Sequence, residues 1–270
     1  MYKLSAFADE VSDDLDAQLR NLKSNGVQNI ELRGVWGKNV LKLSAAEVRE
    51  VKRKASESGV GFSAVGSPLG KFPLSGDFSE QLDGLKRALE YAEILEARYI
   101  RMFSFHIPKG DDPSGHRAQV LDWLGRMVAE AEKTKIVLAH ENEKGIYGDT
   151  GDRCADLFGS IKSKSLTGIF DFANFVQCGE SPYECWRKLR SHIAYFHVKD
   201  ALLATGKVVP AGRGNGDIEK ILGEAFAAGF DNFLTLEPHL SIEEASYGKT
   251  SPALFRTACD ALGVILARLA

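Results

Sequence analysis

A single-domain α/β chain folded as a (β/α)8 TIM barrel over residues 1–270 is predicted by three features of the sequence. Short β-branched or aromatic runs alternate eight times with longer stretches of helical periodicity, from one end of the chain to the other. A length of 270 residues suits eight strand-plus-helix units. No linker rich in Pro, Gly or Ser and no charge run marks a boundary, so one domain is favoured over two.

Taken in order, the expected strands are Leu4 to Phe7, Gln28 to Arg33, Gly61 to Val65, Tyr99 to Phe105, Ile136 to Glu141, Gly168 to Asp171, Ala194 to Lys199 and Phe233 to Glu237. Helical stripes fall between them, with Leu15, Leu19 and Leu22 at i, i+4 and i+7, and Leu82, Leu85 and Leu89 opening another. Ser44 followed by Glu47 reads as a capping box that opens a helix running to Ser58, with Gly59 as its stop. Asn25-Gly26 and Ala228-Gly229 punctuate the chain in the same way before strands, and Asp217 is placed to cap the helix that follows it. Alternation of this kind gives a parallel sheet, open or closed. An open doubly wound sheet wants a glycine-rich turn after an early strand, and Phe7 to Ser12 contains no glycine, which favours the barrel.

Composition narrows the class of function. Thirty-four Lys and Arg against 37 Asp and Glu give a net charge of −3, which disfavours a protein built to neutralise nucleic-acid phosphates. Acidic residues arrive by Asp9, too early for a signal-peptide core, and no run approaches a membrane-spanning length, so a soluble cytoplasmic protein without a membrane partner is expected. Cys154, Cys178, Cys185 and Cys259 form no CxxC pair or zinc-finger spacing and read as reduced thiols.

In such a barrel the chemistry sits where the strands end. Those ends are rich in acid: Glu31 and Arg33, then His140-Glu141-Asn142-Glu143, Asp171, His197-Val198-Lys199-Asp200, and Glu237-Pro238-His239. Glu141, Asp171, His197 and Glu237 would face one another, and three unpaired carboxylates in a pocket of low dielectric repel strongly. A positive charge is required among them. One divalent cation satisfies the set, Mn²⁺ foremost with Mg²⁺, Co²⁺ or Zn²⁺ as alternatives, and ion pairing with Lys199, Arg101 or Arg33 is the competing arrangement. Alternation points His140 outward as a satisfied structural histidine, and gives Glu143 the same parity as Glu141, making it the substitute ligand. The run Pro210-Ala-Gly-Arg-Gly-Asn-Gly-Asp217 lacks a P-loop ending, and its Arg213 either reaches substrate oxygens or lies solvated.

The segments Val137-Leu-Ala-His-Glu-Asn-Glu143, Gly168-Ile-Phe-Asp-Phe-Ala-Asn174, Tyr195-Phe-His-Val-Lys-Asp200, the glycine-rich run to Asp217 and Leu236-Glu237-Pro238 together resemble the xylose isomerase-like barrel family, which includes sugar phosphate isomerases and epimerases, inosose dehydratases and the endonuclease IV group. The resemblance implies that Glu141, Asp171, His197 and Glu237 bind one divalent metal and that Glu141 and Glu237 double as the acid/base pair. The implied reaction is proton abstraction beside a metal-bound carbonyl of a small sugar or polyol through an enediolate, giving isomerisation or epimerisation. Elimination of a β leaving group from a keto sugar, inosose or keto glycoside is the alternative, and a binding barrel, subunit or endonuclease follows behind. Ketose 3-epimerases of that family carry His and Arg where this chain has Asn174 and Leu203, whereas the His197-Val-Lys199-Asp200 form is closer to the isomerase and inosose dehydratase branches. Substrate contacts are expected from Lys199, Arg213, His106 and Asn174, and a homo-oligomer is left open.

Overall fold

The computed structural model describes residues 2–240 and 248–270. Eight parallel strands, numbered here around the barrel, close on themselves: β1 Lys3–Ala6, β2 Asn29–Leu32, β3 Gly61–Val65, β4 Tyr99–Met102, β5 Val137–Glu141, β6 Leu166–Asp171, β7 Ile193–Val198 and β8 Phe233–Leu236. β1 pairs with both β2 and β8, so no edge strand is left. The closed (β/α)8 barrel predicted from the alternation is what the chain forms.

The helices that cross between strands are α1 Leu15–Ser24, α2 Ala45–Glu57, α3 Phe78–Leu95, α4 Arg117–Ala131, α5 Gly151–Ser160, α6 Phe172–Gln177, α7 Pro182–Leu189, α8 Ile218–Ala227 and α9 Pro252–Leu269. Local chemistry starts and stops them. Ser44 and Glu47 form the reciprocal capping box at the head of α2, and Asp14 and Ser251 cap α1 and α9. Gly26, Gly59 and Gly229 take left-handed backbone after their helices, which a side chain would strain. Asp217 sits at the head of α8 as expected but is itself left-handed, at φ 52°, and its side chain makes no cap bond.

Two apolar layers result. The larger lies between the strands and the helices; the smaller fills the barrel with Ala64, Tyr99, Ala139, Ile169 and Tyr195. The fourth strand is shorter than its sequence suggests, because the backbone turns left-handed at Phe105 and the amides of Phe103 and Phe105 bond to Leu69 and Gly70 instead of to a strand. Gly70 is required there: a Cβ on it would lie 1.9 Å from the Phe103 carbonyl oxygen. No helix among the described residues is long and apolar enough to cross a membrane.

Candidate metal centre and active site

Four consecutive strands carry the centre. Glu141 ends β5, Asp171 ends β6, His197 is the penultimate residue of β7 and Glu237 follows β8, all pointing inward and all buried. One ligand atom from each lies within 4.8 Å of every other, a spacing that one metal ion can bridge. The orientation of the atoms also fits an ion. His197 Nδ1 and Asp171 Oδ2 are buried and make no hydrogen bond of good geometry, yet Glu141 Oε1 stands 3.1 Å from that nitrogen and Lys199 Nζ 3.1 Å from that oxygen.

The remaining atoms of these side chains are tied down. The Asn174 amide N–H donates to Asp171 Oδ1 at 2.8 Å, capping α6, and its Nδ2 donates to Asn142 O at 2.9 Å and Glu141 Oε1 at 3.3 Å. Asn142 in turn pairs its side-chain amide with the Asp171 backbone, locking the ends of β5 and β6 together. On the other side of the imidazole, His197 Nε2 lies 3.1 Å from Glu31 Oε2, while Tyr195 donates its hydroxyl to Glu31 Oε1 at 3.2 Å.

The competing cations are present as well. Lys199 Nζ stands 3.1 Å from both Asp171 and Glu237, Arg101 donates to Glu141 at 3.1 Å, and Arg33 donates to Glu237 at 3.2 Å. Arg101 lies over both the Phe7 and Phe103 rings, and Arg33 stacks against Phe7 as well. Three cations therefore balance the three carboxylates of the ligand set, which answers how these acids stay buried without a metal's charge. A second acidic group shares Glu237: His239 Nε2 lies 3.3 Å from Glu10 and 3.4 Å from Glu237. Arg33 already supplies its positive charge, at 3.2 Å from Glu237 and 4.0 Å from Glu10.

Titration separates the carboxyls. Burial pushes Asp171 up to about 7 against the pull of Lys199. Burial also raises Glu141 and Glu237, but His197 and Arg101 overcome it at the first, and Lys199, His239, His197 and Arg33 at the second, leaving both low. Burial alone would lower His197, yet Glu141 and Glu31 raise it to about 10. A cation brought to the centre therefore competes with a proton on Nδ1.

The structure brings Lys199 and Asn174 into the cluster but not Arg213 or His106. Arg213 is exposed and borders an outer cleft with Glu219, Ile265 and Arg268, on the helix side of the barrel. The loop that carries it wraps an internal carboxylate instead of a ligand: Asp200 accepts the backbone N–H groups of Ala201, Gly212, Gly214 and Gly216 at 2.8–2.9 Å. A Cβ on Gly214 would lie 2.4 Å from Asp200 Oδ1, so those glycines permit a carboxylate nest. His106 is half-buried in backbone bridges to Pro73 and Ile146, and no hydrogen bond or ion pair among the described residues joins its ring to the cluster. Glu143, the substitute ligand, pairs with Lys71 at 2.7 Å. His140 points outward against Phe158 as expected, but it is not satisfied, because neither ring nitrogen has a hydrogen-bond partner among the described residues. Leu203 is 56% exposed, far from any role in the pocket.

Sequence reasoning assigned no role to Glu31 or Glu10. Glu31 alone left a signal, an inward parity shared with Arg33 at the end of its strand.

Such a barrel, with a buried three-carboxylate, one-histidine cluster at the strand ends, defines a class of proteins able to hold a divalent ion at that face. A family model described as xylose isomerase-like TIM barrel matches residues 19–261, and the chain belongs to that family. No protein of curated function matches the sequence. Among solved structures the fold is similar to the IolI protein with a bound zinc atom, at TM-score 0.79 and 16% identity over 99% of both chains. It is likewise similar to the probable 3-DHS dehydratase AsbF of Bacillus anthracis, at 0.76 and 17% over 97% of this chain and 98% of that one. The 3-keto-D-glucoside 4-epimerase YcjR of E. coli superposes at 0.74 with 18% identity over 99% of this chain and all of YcjR.

Proposed function

We propose that the protein is a divalent-metal-dependent isomerase or epimerase of a small sugar or polyol derivative, with Mn²⁺ the first choice of metal. The observation that carries this reading is the convergence of Glu141, Asp171, His197 and Glu237 on one point, with His197 Nδ1 and Asp171 Oδ2 left without hydrogen bonds toward it. A bound divalent ion would polarise a substrate carbonyl and an adjacent hydroxyl, which lowers the cost of removing the proton between them.

The chain's own residues supply the rest. Glu141 and Glu237 are the outer two of the four strand-end ligands, and both carboxyls are held ionised, the state a general base needs. One carboxylate takes the proton from carbon. Delivery of that same proton to the neighbouring carbon isomerises the substrate, whereas a proton that the other carboxylate takes up from solvent and delivers to the opposite face inverts the centre. Asp171 and His197 hold the ion, and Asn174 fixes both Asp171 and Glu141. Lys199, buried between Asp171 and Glu237, presents an ammonium to substrate oxygens.

Lys199 also favours a second reading. A fixed ammonium donates a proton to a departing hydroxyl, so the same deprotonation beside a β leaving group would give a dehydratase of a keto sugar, inosose or keto glycoside. That reading is in keeping with the AsbF likeness. The Mn²⁺-loaded protein incubated in D2O with a panel of keto sugars, inososes and keto glycosides distinguishes them. Deuterium uptake without loss of water supports the isomerase or epimerase, loss of water supports the dehydratase, and neither exchange nor elimination on any member would contradict both.

A further inference from the structure

We infer that Glu31, buried on β2 with its two carboxylate oxygens taken by Tyr195 and His197, is a positioning residue that selects the His197 nitrogen offered to the metal; the inference rests on the metal reading above. Glu31 is fully buried, and its contacts among the described residues are the Tyr195 hydroxyl at 3.2 Å and His197 Nε2 at 3.1 Å. No Lys or Arg stands within ion-pair distance of it among those residues, unlike Glu141, Asp171 and Glu237. A buried carboxylate whose partners are a single imidazole and a hydroxyl is costly, and Gln or Leu would fill the same space at lower cost. A carboxylate does one thing that Leu cannot do and Gln does more weakly. It accepts strongly from Nε2–H, so the proton that a metal would displace is the one on Nδ1, the nitrogen that faces Glu141 and Glu237.

The fold has made room for this contact. The register of β2 against β3 slips by one residue between Ile30 and Glu31, which sets Glu31 beside Ala64 in the barrel interior. Slips of this kind re-aim a side chain. Tyr195 and His197 lie two apart on β7 and so point the same way, and the Tyr195 hydroxyl occupies the second carboxylate oxygen, leaving the first for the imidazole. The Phe7 edge, with ring centroids 5.1 Å apart, fixes the His197 ring from another side.

The test compares wild type with Glu31→Gln, Glu31→Leu and Tyr195→Phe in two measurements. The first is Mn²⁺ affinity by competition with a fluorescent chelator, with folding checked by circular dichroism. Loss of such an outer partner weakens metal binding roughly 10- to 100-fold. Glu31→Leu is expected in that range; Glu31→Gln, whose amide oxygen still accepts Nε2–H, and Tyr195→Phe are expected to lose less than tenfold. The second is the ¹⁵N spectrum of the His197 ring in metal-free protein, where Nε2 is protonated in wild type and Glu31→Gln and loses that signature in Glu31→Leu. Glu31→Leu with wild-type affinity and an unchanged Nε2 resonance would overturn the inference, as would Glu31→Gln behaving no better than Glu31→Leu in both measurements. Wild-type protein that takes up no Mn²⁺ would count against the metal reading alone, and the ring spectrum would then decide the role of Glu31. If Glu31→Leu does not fold, the Gln and Phe variants decide it: a wild-type Nε2 signature in Glu31→Gln supports the inference and its loss overturns it.

Discussion

Lys199→Met removes the ammonium that lies 3.1 Å from Asp171 and 3.1 Å from Glu237 while keeping the length of its stem. At an effective dielectric of about 20, each contact is worth roughly 5 kcal/mol of Coulomb attraction, and breaking a buried pair by deleting one partner costs about 3–5 kcal/mol once solvation is counted. The variant should therefore lose about 3–5 kcal/mol in urea unfolding with EDTA present. It should also bind Mn²⁺ at least about tenfold more tightly, since a like charge has left the ligand set. At one Mn²⁺ concentration, about 1,000 times the wild-type Kd, wild type gains roughly 4 kcal/mol and a variant that binds about tenfold more tightly gains roughly 5.4, so Mn²⁺ should narrow the gap between them. Unfolding curves of both proteins, each with EDTA and with excess Mn²⁺, measure all of this. A variant as stable as wild type in EDTA, or one that gains no more from Mn²⁺ than wild type does, would refute the view that Lys199 and a metal act on the same carboxylates.

Glu141→Gln and Glu237→Gln should each keep the circular dichroism of wild type and lose about 10²–10⁴-fold in turnover, and wild-type rates in both would remove them from the chemistry. His140 is buried neutral, with burial lowering it from 6.5 to about 4. The unfolded chain thus takes up its proton first as pH falls. Stability is complete above pH 6.5 and declines toward pH 4 by up to about 3 kcal/mol, a slope that His140→Leu should flatten and that a pH series of unfolding curves would read. Gly214→Ala drives a Cβ against Asp200 and should cost about 1–3 kcal/mol, detectable as a lowered Tm. Arg213→Ala, on an exposed side chain outside the barrel mouth, should leave kcat/KM within about twofold of wild type.

The barrel was legible because its signals are local and repeated: β-branched runs, helical stripes and glycine stops recur in register with the strands. The four strand-end residues were legible for the same reason, since parity and position alone aim Glu141, Asp171, His197 and Glu237 inward. What escaped depends on contacts between strands remote in sequence. Glu31 finds His197 across 166 residues, and Glu10 finds Thr250 across 240. Arg213 shows the converse. A glycine-rich run looks like an anion cradle in one dimension, and only the fold shows that Asp200 already fills it. His140 escaped in a third way: its outward aim follows from alternation, but its lack of partners depends on Phe158 and Gly148, which pack apolar surface and backbone against it.

The metal content of the purified protein by elemental analysis, set beside an Asp171→Asn/His197→Ala double variant, tests the centre most directly. About one equivalent of a divalent metal in the wild type and almost none in the variant is expected, as one ion per four-ligand site requires. Wild-type protein without metal, and without thermal stabilisation by added Mn²⁺, Mg²⁺, Co²⁺ or Zn²⁺, would mean that Lys199, Arg101 and Arg33 are the permanent counter-charges of a structural ion-pair cluster.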